Sequence, residues 1–555
     1  MRPASNVFWM LAVGLLLVAS VLESDAANNP RGGLQKPAAV ANQQTNRLHA
    51  PTANTKLVSE SVTNLAAKIA NALSNSKSKT EIFSPVSIAG ALSLLLLGSG
   101  GRTQEELLAV MGLNKGQLSF QEIHISFGRL FQDLVSNDPS LEPLVTWRLN
   151  DKCNRYDEED DEEDFPLAPA STNPGENDVI IQIGNGIFGQ EGTTFDARYH
   201  KVAKDLYQSE LQQLDFVNDE TSSVRFINNW VNNQTHGRIA DIVSHISPDT
   251  IMMVINTLYF RGLWEESFQP HATRNRRFFP NGPTGPDSLD IPMMAKSHCM
   301  PYYNWEEENV RVVGIPYHQN VTMYIFMPTN STRELVQSML SKISAKQIND
   351  IVTKMKMKSV TVLFPKMHIS NSLSLKTVLQ QLGVTTLFQK QEADLYRLLN
   401  GLQRTGGEET LDILDALQDT KENAVRQLQN QNPDCIIVER QGIERGDCLK
   451  EHCAYGGQVC VCCVEQDDDF RRRRRRRQTE LSMMSKNETI FVSEMLHKVD
   501  LTVNERGTEG GAATATLIDR ISSQINFIVN GPFLMVIREE TTRLPLFYGA
   551  VYNPK

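Results

Sequence analysis

The chain has 555 residues, a formal net charge of −10 and 40% hydrophobic residues. That length allows two or three domains or one large domain with insertions, and the composition supplies a globular core. The acidic balance speaks against general nucleic-acid binding.

Arg2 precedes an apolar run over residues 7–22, and Ser24, Asp25 and Ala26 follow at the positions a signal peptidase reads. Residues 1–26 are expected to be a signal peptide, because the run is shorter than the ~20 apolar residues that cross a bilayer. Residues 27–55 are rich in Ala, Asn, Gln and Pro without periodicity, which predicts a disordered lead-in before a domain over 56–555. Leu57, Val62, Leu65, Ile69 and Leu73 then recur at near-helical spacing. Ser84-Pro85 opens a second helix over 86–97, closed by Gly98, Gly100 and Gly101; apolar nearly all round, it should be buried.

Two segments interrupt the globular pattern. One, at about 138–177, holds an unbroken acidic run over 157–164. The other, at about 397–488, is low in periodic apolar residues and carries six of the eight cysteines, three consecutive aspartates at 467–469 and seven arginines at 471–477. Runs of like charge repel and seldom fold, so both read as insertions in one domain of roughly 370 residues. Residues 179–183, 310–315, 322–327, 360–364, 533–538 and 546–552 are short and β-rich, with helical patterns earlier and between them. The fold class is α+β with substantial sheet.

The cysteine-rich segment suits disulfides in an oxidising compartment, with pairing open, and His452, Cys453, Cys460, Cys462 and Cys463 offer a weaker zinc reading. The arginine run reads as a processing site, a polyanion-binding patch or a solvated tract. Asn233, Asn320, Asn330 and Asn487 begin N-x-S/T triplets, so they are permitted glycosylation sites in a secreted chain. Gly184, Gly186 and Gly189 match a dinucleotide fingerprint, but Gln190-Glu191-Gly192-Thr193 is turn chemistry where that site requires a helix. The glycines therefore read as an irregular passage from strand to loop, and no catalytic motif remains.

Residues 505–516 are poor in large side chains and follow a strand pattern over 499–503. One parity, Thr508, Gly510, Ala512, Thr514, Thr516 and Ile518, is uncharged and mostly small, while the other holds Glu509 and Asp519. Since strand side chains alternate between faces, this exposed stretch can become a strand with one face buried.

Here the sequence resembles the serpin family. Ser84-Pro85-Val86-Ser87-Ile88 is similar to the family's start of a buried helix, and Asn256-Thr257-Leu258-Tyr259-Phe260-Arg261-Gly262-Leu263-Trp264 to its N-x-x-x-F-x-G-x-W strand. Phe364-Pro365-Lys366, Leu382-Gly383-Val384, Leu387-Phe388, Pro532-Phe533-Leu534 and Phe547-Tyr548-Gly549-Ala550-Val551-Tyr552-Asn553-Pro554 follow in the expected order. The resemblance implies a large central sheet with additional sheets and surrounding helices. It also implies a reactive-centre loop over 505–532 whose hinge is Glu505, Gly507, Thr508, Glu509, Gly510, Gly511, Ala512 and Ala513. Gly510 and Gly511 depart from the alanines usual there, and glycine is a poor strand residue.

The implied activity is suicide-substrate inhibition of a trypsin-like serine protease through a covalent acyl complex. The chain would be a secreted, extracellular monomer with no cofactor, metal, nucleic acid or membrane partner. Counting along the family's loop places the bait bond at Ile521-Ser522, whereas Arg520-Ile521 is the bond a trypsin-like pocket would favour. Ser84, Asn256 and His497 align with shutter positions and Trp264 with the breach, the positions that control opening of the sheet. The helix over 120–135 carries only Arg129 besides His124 as a basic residue, so it is poorly suited to heparin. The acidic run could instead contact a basic protease exosite. The general pattern is similar to arthropod serpins that restrain extracellular cascades such as melanisation and other innate-immune signalling; a non-inhibitory carrier or chaperone is the alternative.

Overall fold

The computed structural model describes residues 52–74, 78–135, 145–149 (side chains to 148), 153, 179–399, 490–508 and 525–555, and the backbone alone of 436–439, 450–454 and 459–464. The helices are α1 (Ala53–Leu73), α2 (Pro85–Gly98), α3 (Gly101–Met111), α4 (Phe120–Val135), α5 (Thr146–Leu149), α6 (Ala197–Tyr207), α7 (Glu220–Gln234), α8 (Arg333–Lys342), α9 (Ala345–Lys354) and α10 (Leu375–Gln381). α1 takes in residues 53–55, which composition assigns to the lead-in, because the Thr52 side chain caps the Thr55 amide. Ser84 caps α2, Pro85 opens it, and every one of its residues is buried, as its uniformly apolar sequence requires.

The strands are β1 (Ile180–Gln190), β2 (Glu210–Leu214), β3 (Met252–Leu263), β4 (Arg274–Phe278), β5 (Leu289–Trp305), β6 (Val310–Pro316), β7 (Val321–Pro328), β8 (Lys356–Pro365), β9 (Met367–Ser374), β10 (Ile436–Glu439), β11 (Lys450–Ala454), β12 (Val459–Val464), β13 (Glu494–Val503), β14 (Gly507–Thr508), β15 (Ile525–Ile528), β16 (Phe533–Glu539) and β17 (Pro545–Val551). A six-stranded sheet runs β2-β1-β3-β14-β13-β9, and an eight-stranded sheet runs β15-β8-β5-β6-β7-β16-β17 with β4 beside β5. α2 packs against both β3 and β17, so it lies between the two sheets' cores. β13 alternates half-buried and buried residues along its whole length, the signature of a strand with one face in the core.

Three expectations change. β1 is a continuous strand through Gly184, Gly186 and Gly189, not a passage into a loop. A Cβ at Gly184 would meet Thr257 Oγ1 and Gln234, and one at Gly186 the rings of Phe188 and Trp230, so these glycines admit close packing within a strand. The cysteine-rich insertion forms a three-stranded sheet, β10-β12-β11. A reading that weighs the charge runs and the low apolar periodicity of the whole segment passes over the short strand-forming run Val459, Cys460, Val461, Cys462, Cys463, Val464. At the start of that insertion's expected bounds of about 397–488, Leu398 is buried and Leu399 bridges Phe195. The acidic insertion is also partly built into the core: Val145 and Trp147 are buried, and Cys153 forms a disulfide with Cys299 of β5.

Candidate functional site

β3 and β13 are parallel neighbours, but they touch only at one end. Residues 494–498 of β13 pair with 253–257 of β3, and at the far end Gly507 and Thr508 fill the space between Val503 of β13 and Gly262 and Leu263 of β3. Between these contacts no ladder joins the two strands among the described residues: residues 258–261 pair with β1 and residues 499–502 with β9, but not with each other. A gap of this kind between two strands is a place that an incoming strand can join.

The closed end is latched by side chains. The Ser84 amide donates to His497 Nε2 at 3.0 Å, so His497 Nδ1 carries the proton and donates to Asn256 Oδ1 at 2.5 Å. Ser87 Oγ donates to the same Oδ1 at 2.9 Å, while Asn256 Nδ2 donates to Asn185 Oδ1 at 2.7 Å. The expected trio of Ser84, Asn256 and His497 is thus brought together. Ser87 and Asn185 join it, and the latter lies in the very glycine-rich stretch that reads as a break. Burial holds the His497 imidazole down at about 3, which keeps the acceptor at Nε2 that the Ser84 amide requires.

The open end is pinned around Trp264. The Trp264 indole donates to the Asn504 carbonyl at 2.9 Å, its amide donates to the Arg506 carbonyl at 2.8 Å, and the Phe268 amide donates to the Glu505 carbonyl at 2.7 Å. Glu505 also accepts from Lys366 Nζ at 2.9 Å and from Thr273 Oγ1 at 2.9 Å. Burial alone would raise this carboxyl; the Lys366 and Thr273 hydrogen bonds and a backbone amide hold it below the usual range. Thr508 is 1% exposed, and its hydroxyl lies 2.8 Å from that of Tyr317, whose ring stacks on Trp264 at 4.1 Å. Beneath them Lys296 lies over the rings of Trp264 and Phe268 and donates to the Glu266 carbonyl at 2.7 Å. Its burial lowers the ammonium to about 7, against the pull of Glu266 and Glu265. Sequence reasoning misses Tyr317 and Lys296, which belong to no motif; a buried tyrosine after a strand carries no signal of its own.

Asn256, His497, Gly507 and Thr508 therefore stand in one split sheet, with Ser84 against its latched end from the start of α2 and Trp264 and Glu505 at its other end. Glu509, Gly510, Gly511, Ala512, Ala513, Arg520, Ile521, Ser522, Asn487, the signal peptide, the acidic run and the arginine run lie outside the described residues. So do the side chains of His452, Cys453, Cys460, Cys462 and Cys463. Asn233 and Asn330 are exposed, whereas Asn320 is half-buried and its Nδ2 donates to Thr541 Oγ1 at 3.1 Å. No helix among the described residues is long and apolar enough to cross a membrane.

Known proteins carry the same architecture. Residues 60–421 and 475–554 match the family model described as serpin (serine protease inhibitor). The sequence is 29% identical to serine protease inhibitor 28Dc of Drosophila melanogaster, over 90% of this chain and 79% of that protein. It is 24% identical to alpha-1-antiproteinase of Ovis aries over 98% of each. Human thyroxine-binding globulin, solved with its hormone, superposes with a TM-score of 0.62 at 20% identity, covering 91% of this chain and 100% of that one. Human kallistatin superposes with a TM-score of 0.60 at 19% identity, covering 90% and 99%.

Proposed function

The chain belongs to the serpin family, and from that premise we propose that it is a secreted inhibitor of a trypsin-like serine protease. The observation that carries this reading is the hinge. Gly507 and Thr508 already sit between β3 and β13, above two edges that await a strand. The protease serine attacks the carbonyl of the bait residue, expelling the amine of the next residue and leaving an acyl ester. The freed loop then fills the cleft below Thr508 and draws the acylated protease away from its attack geometry. The uncharged, small parity of residues 508–518 suits that inward face.

Arg520 is the favoured bait residue, because an acidic pocket would hold its guanidinium. Secretion is supported by the Cys153–Cys299 disulfide, since such bonds persist in oxidising compartments. The role is restraint of an extracellular cascade of the melanisation or immune type, by analogy with arthropod members. The acidic run, which follows Cys153 in sequence, suits a basic protease surface by its charge. Cys299 pairs with Ser359 on β8, and β8 pairs at the next residue, Val360, with Ile525, where the loop rejoins the fold. Deleting residues 157–164 should then slow inhibition, most at low salt; equal rates at both ionic strengths would remove this contact.

The test is a panel of serine proteases. An SDS-stable complex with a trypsin-like enzyme is expected, with release of a peptide beginning at Ile521. A peptide beginning at Ser522 would move the bait residue to Ile521. No complex, and no thermal stabilisation after loop cleavage, would favour the carrier reading.

A further inference from the structure

Residues 145–148 and Cys153, which belong to the acidic insertion, stand against the hinge machinery from outside the family's core motifs. Val145 and Trp147 are 3% and 4% exposed, so α5 is seated in the core and not draped over it. Arg148 stacks over the Trp147 ring at 5.3 Å. Its Nη2 donates to the Tyr317 carbonyl at 3.4 Å, and its Nη1 lies 3.9 Å from Glu265 Oε2. Tyr317 is the residue whose hydroxyl meets Thr508. Four residues beyond α5, Cys153 is covalently held to β5 through Cys299.

We infer that residues 145–148, with Cys153 as their tether, form a clip in which Arg148 positions Tyr317, Tyr317 holds Thr508 in the sheet, and the Cys153–Cys299 disulfide keeps the clip in place. Tyr317 is well suited to be the intermediary. It stacks on Trp264, packs edge-on to Phe260 at 5.3 Å and bridges Trp264 through the backbone, so a shift of its main chain moves the pocket that receives Thr508. Arg148 and Tyr317 are positioning residues, since they act through Thr508. Their work is to set how much of the population has the hinge inserted before any protease arrives, a quantity that favours loop insertion over simple cleavage once the acyl bond has formed. The inference rests on the inhibitory reading for its consequence but not for its measurement.

That measurement is amide hydrogen exchange on the free, full-length chain, comparing wild type, Arg148→Ala, Arg148→Lys, Tyr317→Phe and the Cys153→Ser/Cys299→Ser double variant. Losing one hydrogen bond of this kind should speed exchange at residues 505–508 by about threefold to tenfold. Exchange at residues 494–498, at the latched end, should not move. Arg148→Lys, which keeps a charged donor, should restore part of the protection, and the double cysteine variant should reproduce the Arg148→Ala pattern. Unchanged hinge exchange, or an increase spread evenly over both ends of β13, would overturn the clip. A cysteine variant with wild-type hinge exchange would overturn the tether. If the hinge responds as stated while no protease forms a complex even with wild type, the clip stands and the inhibitory reading falls.

Discussion

At the scale of single residues, the hinge tolerates almost nothing. A Cβ on Gly507 would lie within contact-forbidden range of the Gly262 carbonyl and 2.8 Å from Leu263 Cα, and both neighbours are backbone that cannot rotate away. Gly507→Ala should therefore expel the first two hinge residues from the sheet while adding only a methyl group. Proteolysis or exchange at 505–508 would show this, and retained protection would refute it. Thr508 differs, because its side chain faces the Tyr317 hydroxyl in a space 1% open to solvent. Thr508→Arg would bury an unpaired guanidinium there, a cost of several kcal/mol. The expected result is a chain still cleaved at its bait bond but released as a substrate, with little SDS-stable complex. Wild-type complex yield from this variant would mean that insertion does not pass through Thr508. That both residues are small is legible in the sequence, and Thr508 opens the small uncharged parity; the carbonyl and the hydroxyl they face are not, since Gly262 and Tyr317 lie far away along the chain.

At the scale of elements, the latch between β3 and β13 depends on a neutral imidazole. Protonation of His497 would place a second N–H against the Ser84 amide, donor against donor. Burial holds His497 at about 3, against 6.5 for the free side chain, so the unfolded chain binds the proton first as pH falls. Stability from this group is complete above pH 6.5 and is lost progressively toward pH 3, at about 1.4 kcal/mol per pH unit. His124, buried in α4 against Tyr207, is lowered to the same value and adds an equal slope over the same window. Thermal midpoints should fall steeply from pH 6.5 to 5, and His497→Gln should remove about half of the part due to these two histidines. An unaltered pH profile in that variant would deny His497 its role as the acid-sensitive latch. Much of this element was readable in advance: Ser84-Pro85 marks a helix start by capping, and the alternation in β13 marks a one-faced strand. The three-dimensional partners Ser87 and Asn185 were not, because a hydrogen-bond network leaves no periodicity in any of the segments it joins.

At the scale of the whole molecule, the six-stranded sheet has, among the described residues, a gap where no ladder joins β3 to β13. The gap has a direction, since it is bounded by the His497 latch at one end and by Gly507 and Thr508 at the other. What the sequence could not show is how the molecule holds that arrangement: the disulfide joins residues 146 apart, a separation that no spacing rule selects. The gap makes the stored energy measurable. Over residues 258–261 and 499–502 no ladder joins β3 to β13 among the described residues, and ladder bonds contribute about 1 kcal/mol each, so a strand entering there should stabilise by several kcal/mol. A synthetic peptide copying residues 508–519 has the small uncharged parity that this cleft requires. Incubated with the intact chain, it should raise the thermal midpoint and, on the inhibitory reading, turn the chain into a substrate, because the site that the loop must enter is taken. A scrambled peptide of the same composition breaks the parity and should do neither. If the ordered peptide also fails on both measures while a cleaved chain is strongly stabilised, the cleft admits only its own tethered loop, and the advantage of the tether is then the local concentration it supplies.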